Sequence, residues 1–393
     1  MNTVQSGTSP TSPDATYVKG SELTLDHYSR TIFKSLRRID QRNWAHAYLK
    51  GLLVTSGKKS VRRLATAVSD DPSAVQSLRQ FVSLSPWDFD EVMEELTQWV
   101  ADRQPDPVWS IGRAVLPKRG DRSVGVHRYF DLSSARTVNC QLGLGSFQCV
   151  GTTQVPVDWC LYLSTTWTHD SKRRRDARIP DSEQHRPLWA HTLRLVDRLS
   201  ARTNSTSSVV LVDMSDEPDV GYLLHGLAKR RRDFVVAVPP HLAVLQAGES
   251  VPAPVSARTL ILAQNPESAV FPRADGHRRG APLQTSLVRL PGNSPGPLYR
   301  LFAELGPHRN PGPLWLTSLT RHSVEEVGSI AALQRETTDV IGSMEQDFGL
   351  LDFEGRSFPG WYHHMALVSA AYTFRRLRGL TSAASRGTAQ RVP

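Results

Sequence analysis

The chain has 393 residues, 39% of them hydrophobic and 22% charged, with a formal net charge of +9 and a pI near 9.7. These values fit an ordinary globular protein of two or three domains. They exclude a membrane span, because no apolar run is long enough. The excess of Lys and Arg suits a polyanionic partner, since each neutralised phosphate releases counterions.

The opening MNTVQSGTSPTSPDA is polar and lacks the apolar core of a signal peptide, so a cytoplasmic location is expected. Residues 1–26 and the tail 381–393 offer little apolar surface to offset chain entropy and are expected to be disordered. Cys140, Cys149 and Cys160 form no CxxC pair, and their odd number argues against a disulfide framework. They are read as buried thiols.

Residues 27–104 have a helical texture: Ile32, Leu36, Ile39, Trp44, Tyr48 and Leu52 recur at three- to five-residue steps among basic residues. Within KKSVRRLATAVSDDPSAVQSLRQFV, Ser60 is placed to cap one short helix. The Ser69–Pro72 turn breaks that helix, and Ser73 starts a second. Two short helices across a tight turn resemble a helix-turn-helix reader, with Arg62, Arg63, Gln76 and Arg79 as candidate DNA contacts. A third helix is expected to open at Ser85-Pro86-Trp87-Asp88, with Ser as the cap.

Past Pro107 the texture turns to strands, at Trp109–Leu116, Val138–Leu144 and Trp159–Leu163. A charged loop, SKRRRDARIP (171–180), follows; Arg173, Arg174 and Arg175 in it are candidate phosphate contacts. After a helix at about 187–199, the run Ser208-Val-Val-Leu-Val-Asp213 reads as a buried strand ending in a carboxylate. A helix at about 222–229 and a strand at 234–238 come next. The Pro- and Gly-rich segment 239–322 reads as a β-rich insertion, with strand-like pieces at Thr259–Ala263, Thr285–Leu290 and Leu298–Ala303. Helices return at about 324–346 and 362–378.

Seven segments in order resemble DDE-type bacterial insertion-sequence transposases with an RNase H-like core. They are SPWDFDEVMEEL (85–96), LPKRGDRSVGVHRYF (116–130), VNCQLGLG (138–145), PVDWCLYLSTTW (156–167), HRPLW (185–189), VVLVD (209–213) and FEGRSFPGWYHH (353–364). The resemblance implies an α/β fold. A mixed-sheet core (107–238 and 323–380) would carry a helical N-terminal domain and the insertion. It also implies double-stranded DNA as partner, a homodimer on that DNA, and three carboxylates holding two magnesium ions for strand cleavage and transfer.

In that pattern the first acid belongs to an Asp-Asp pair just before the Pro-Lys motif; here Gly112 and Arg113 stand there, ahead of Pro117-Lys118. Asp213 matches the second acid and is the candidate metal ligand. The third falls near Thr338, with Glu336 and Asp339 on either side and Glu345 further along. Lys118, Arg356, His363 and His364 are candidate DNA contacts by the same resemblance; adjacent histidines on a helix point about 100° apart, which disfavours a shared metal. Three readings remain open. One is a transposase with a rearranged site using Asp213, Glu336 or Asp339, with Asp216 nearby. The second is a DNA binder that no longer cuts, and the third a scaffold turned to small-molecule chemistry. The missing first acid favours the second.

Overall fold

The computed structural model describes residues 23–387, apart from 105–106, 133, 152, 206, 249–252, 266, 273–277, 293–295 and 307–309. Most of the N-terminal segment expected to be disordered, and residues 388–393 of the tail, lie outside the described residues.

The helical region resolves into α1 (Leu25–Ile32), α2 (Ile39–Val54), α3 (Val61–Val68), α4 (Ala74–Ser83) and α5 (Phe89–Ala101). Helices α3 and α4 begin after Ser60 and Ser73, the residues picked out as starts. The third start differs. Asp88, not Ser85, caps α5, its carboxylate accepting the Asp90 N–H at 2.8 Å. The Ser85 hydroxyl instead accepts from the Gln41 amide at 3.0 Å, and Trp87 stacks between Phe81 and His363, which holds this stretch out of the helix.

Strand β1 (Val108–Pro117) is followed by β2 (His127–Asp131), β3 (Arg136–Val150) and β4 (Thr153–Leu161). Next come α6 (Thr165–His169), α7 (Ser171–Ala177), α8 (Leu188–Thr203), β5 (Val209–Asp213), α9 (Val220–Lys229) and β6 (Phe234–Val238). The stretch 171–180, expected as a loop, therefore starts as a helix: the Asp170 carboxylate caps it, accepting from the Lys172 and Arg173 N–H groups at 2.9 and 3.0 Å.

Five strands run β4-β3-β1-β5-β6, with β3 antiparallel to both neighbours and β1, β5 and β6 parallel to one another. That order and polarity make the RNase H-like core. The insertion adds β7 (Ala243–Gln246), β8 (Val255–Ser256), α10 (Ala257–Leu262), β9 (Glu267–Pro272), β10 (Arg278–Arg289), β11 (Tyr299–Glu304) and β12 (Leu314–Thr317). It does not stand apart, because β12 pairs antiparallel with β6 and extends the same sheet. The expected strand at Thr259–Ala263 is instead helix α10; the Ser256 hydroxyl accepts the Thr259 N–H at 3.1 Å and starts a helical turn.

Helices α11 (Val324–Asp347) and α12 (Phe358–Gly387) cover one face of the core sheet. Three glycines on that face make room for them and for large rings. A Cβ on Gly143 would lie 3.2 Å from Trp361 of α12, and one on Gly145 would lie 2.9 Å from Phe147 and Trp159. A Cβ on Gly112 would lie 2.8 Å from both Ile341 and Thr337 of α11. Helix α8 packs on β3 and β4, and α9 packs in turn on α8. Helix α12 also packs on α2, α4 and α5, so the helical N-terminal region and the sheet share one core. The expected disorder of the tail is corrected in part: α12 continues through Gly387, well past residue 381.

Candidate functional site

Asp213 closes β5, the strand parallel to β1. Their register pairs Ile111 with Val212, so the next residues, Gly112 and Asp213, stand level on adjacent strands and share the face under α11. The Asp213 carboxylate accepts the Ser215 N–H at 2.9 Å, a local turn bond. Where a second acid would face it, the backbone of Gly112 lies beneath the methyl groups of Thr337 and Ile341.

Around this contact runs a chain of neutral polar groups. Ser110 and Thr337 share a hydroxyl–hydroxyl bond of 2.5 Å, and the Thr337 hydroxyl also donates to the Gln154 side-chain amide oxygen (Oε1) at 2.8 Å. Ser110 and Thr337 are fully buried. Such bonds join β1, β4 and α11 without placing any charge there.

The two candidate third acids lie elsewhere on α11. Glu336 is turned toward β3 and β4, where burial, and then the charge of Asp339, hold its carboxyl above the ordinary range, while the Gln154 amide pulls it back. Asp213 is on β5, with β1 in between. Asp339 is exposed. Among the described residues, no three His, Cys, Asp or Glu side chains stand close enough together to hold a metal ion.

Arg113 points to the opposite face of β1. Its guanidinium grips Asp216 through two bonds of 2.5 and 2.6 Å, touches the Tyr129 hydroxyl at 3.3 Å and lies 3.7 Å from Glu217. Burial works against its charge, yet the bidentate bond to Asp216 and the charges of Asp216, Tyr129 and Asp213 together outweigh this and hold the arginine above its ordinary pKa. Asp216 is thereby occupied, and Arg113 pins the loop after β5 instead of facing a metal.

Residues 31–260 match the family model for the DDE superfamily endonuclease. The chain belongs to the DDE superfamily endonuclease family. No curated protein matches it. Among solved structures it is similar to a piggyBac transposase synaptic complex with hairpin DNA, at 12% identity and a TM-score of 0.45, over 91% of this chain and 72% of that one.

The divalent metals implied for a DDE superfamily endonuclease do not fit the residues present in this member. Gly112 supplies no ligand, methyl groups close the space above it, and Asp216 is bound by Arg113. No catalytic step through a metal follows from this arrangement.

The remaining candidates divide between surface and interior. Arg62 and Arg63 on α3, and Gln76 and Arg79 on α4, are exposed or half-exposed, while Leu64, Ala65, Leu78 and Val82 bury the opposite sides of these helices. Arg356 and Arg175 are exposed too. Lys118 is committed: its ammonium donates to the Leu351 and Phe353 carbonyls at 3.1 and 2.8 Å. Arg174 donates to the carbonyls of Thr168, Pro180 and Glu183, and Arg173 to Asp121.

His363 and His364 do not reach the surface. Both are buried, and every ring nitrogen has a partner within the chain. As DNA contacts they are therefore corrected to packing residues. His364 donates from Nε2 to the Gly349 carbonyl (3.0 Å) and receives the Tyr48 hydroxyl at Nδ1 (3.2 Å), so a neutral ring satisfies both. His363 stands between the carbonyls of Val82 (3.0 Å) and Trp87 (2.8 Å). Burial pulls its pKa down to about 4, while these two acceptors pull the other way. The three cysteines are free thiols; Cys140 and Cys160 are buried as expected, whereas Cys149 is half-buried, and burial pushes Cys140 and Cys160 up to about 11 and Cys149 up to about 12.

Three features are not visible in the sequence. One is Thr337 as the residue over Gly112; a threonine among acids on a helix carries no mark of its contact. Another is Tyr129 beside Arg113. The third is the set of arginines after Pro117, whose RGDR run stands out but whose convergence with Arg356 needs the fold.

Proposed function

We propose that this member of the family binds double-stranded DNA and does not cut it. The observation that carries the reading is that Gly112, with Thr337 and Ile341 packed over it, occupies the β1 position level with Asp213 and supplies no acid there. A lone aspartate does not hold two magnesium ions at working separation. Binding is supported by the net charge of +9 and by the exposed edge of α3 and α4. In this reading α4 enters the major groove, Arg62, Arg63 and Arg79 neutralise phosphates, and Gln76 reads a base edge. Two copies act together on DNA, as the family resemblance implies. No helix among the described residues is long and apolar enough to cross a membrane.

A mobility-shift titration tests the binding half. Retardation of duplex DNA is expected to be equal in chelator and in magnesium. The combined change Arg62→Gln, Arg63→Gln, Arg79→Gln should weaken it about tenfold or more, with a shallower salt dependence. Binding that needs magnesium, or that ignores these three changes, contradicts the reading.

A further inference from the structure

Between the turn after β1 (117–123), helix α7 and the segment 351–356 lies a cleft of about 850 Å³ that opens into a second of about 460 Å³. Asp121, Arg122 and Arg356 line both, so the two form one continuous trough. Its walls are tied together from below. Besides the Lys118 bonds to carbonyls 351 and 353, the Asn139 amide donates to the Lys118 and Gly120 carbonyls at 2.8 Å, and the Val124 N–H donates to the Arg356 carbonyl at 3.2 Å. The trough is therefore held open before any ligand arrives.

Its charges are unevenly matched. Arg173 meets Asp121 at 3.3 Å, Lys172 meets Asp176 at 2.6 Å, and Lys58 meets Glu354 at 3.3 Å. Asp170 caps α7, and Asp352 accepts the Lys59 N–H at 2.6 Å. Arg119, Arg122 and Arg356 are left exposed, and their guanidiniums make no hydrogen bond or ion pair among the described residues. Arginines kept in place for stability normally spend their forks on carboxylates or carbonyls, as Arg113, Arg174 and Arg194 do here. Three free forks around one preformed trough match the spaced oxygens of a phosphodiester chain.

We infer that this trough is a second DNA-binding site, separate from α3 and α4, in which Arg119, Arg122 and Arg356 hold successive backbone phosphates without reading sequence. The inference rests on the DNA-binding reading above and adds to it a place and a mode. Contact is to backbone alone, because Trp167 and Phe353, the aromatic side chains that line the trough, are both buried and the Trp167 indole N–H is spent on the Val126 carbonyl at 2.8 Å.

The test uses the full chain and a fluorescein-labelled duplex of arbitrary sequence, with anisotropy followed across a salt series. Three proteins are compared: wild type, Arg119→Gln/Arg122→Gln/Arg356→Gln, and a charge-matched control, Arg37→Gln/Arg128→Gln/Arg321→Gln. Each lost phosphate contact lowers the slope of log K against log salt by about 0.9, so the trough variant should lose about 2 to 3 and bind at least tenfold more weakly near 0.1 M salt. The control should lose less than about 1. Thermal unfolding checks that the variants fold, and the single change Arg122→Gln, with an expected slope loss of about 1, stands in if the triple variant does not. A trough variant indistinguishable from the control overturns the inference while leaving DNA binding intact. A wild-type protein that fails to bind at low salt overturns the DNA-binding reading itself.

Discussion

In the reading proposed for this chain, Gly112 matters twice. It offers no carboxylate, and it lets the Thr337 and Ile341 methyl groups of α11 come so near β1 that any Cβ there would force them to shift. Gly112→Asp should therefore fail as a repair. The new Cβ meets Thr337 and Ile341 at 2.8 Å, and the carboxylate beyond it enters a space filled by methyl groups. Overpacking of this kind costs about 1–3 kcal/mol, and an unpaired buried charge adds to that. Urea unfolding should show a midpoint clearly below wild type; an equally stable Gly112→Asp protein contradicts the packing described. That Gly112 and Arg113 stand where the resemblance expects acids is read from the sequence, because Pro117-Lys118 sets the place. What filled the space was not, since the depth at which a helix rests on a sheet depends on contacts more than two hundred residues apart, such as Ser110–Thr337. Arg113 shows the same limit: an arginine in an acid's position reads as a charge aimed at the metal site, whereas strand alternation sends it to the other face and onto Asp216.

Elements were legible wherever local chemistry and tertiary demand agreed. The apolar run 234–238 is β6, bound for bound, because a strand buried on both faces must be apolar throughout. The Ser60 and Ser73 starts held for a similar reason: the helices they open bury one side and expose the other. Reading failed where capping overrode composition, as at α7 and α10, and where a buried motif looked like a surface one. The His363–His364 pair sits on α12 at its contact with α2, α4 and the turn before α5. This burial has a consequence in pH. Burial pulls His364, and likewise His191 of α8, from 6.5 down to about 4. The unfolded chain then binds more protons than the folded one between those values, so this part of the stability is complete above pH 6.5 and is lost as pH falls toward 4. Each histidine contributes on the order of 3 kcal/mol over that window. Denaturation midpoints measured across the window should fall steeply, and His364→Gln should flatten the fall. A profile level from pH 6.5 to 4 contradicts these assignments.

At the scale of the molecule, the helical region and the sheet behave as one body because charges as well as apolar contacts cross between them. Asp158 of β4, fully buried, receives Arg198 at 2.8 Å and Arg202 at 3.1 Å from α8, and Arg202 also reaches Asp90 of α5 at 3.1 Å. Asp158→Asn leaves two largely buried guanidiniums short of their main counter-charge, a loss of about 3 kcal/mol. It should lower one shared unfolding transition; separate transitions for the helical and sheet regions contradict this coupling. The insertion was legible as β-rich but not as a continuation of the core sheet, since edge pairing between β6 and β12 leaves no local sequence mark. The whole is a member of the DDE superfamily endonuclease family, and the reading proposed for it is that DNA is bound and not cut. The most direct test is strand cleavage. The purified chain, incubated in magnesium or manganese with supercoiled DNA and with duplexes taken from the DNA flanking its gene, should leave every strand whole while still retarding the DNA. Nicked or joined strands that depend on the metal and vanish in Asp213→Ala contradict the proposal that DNA is bound and not cut.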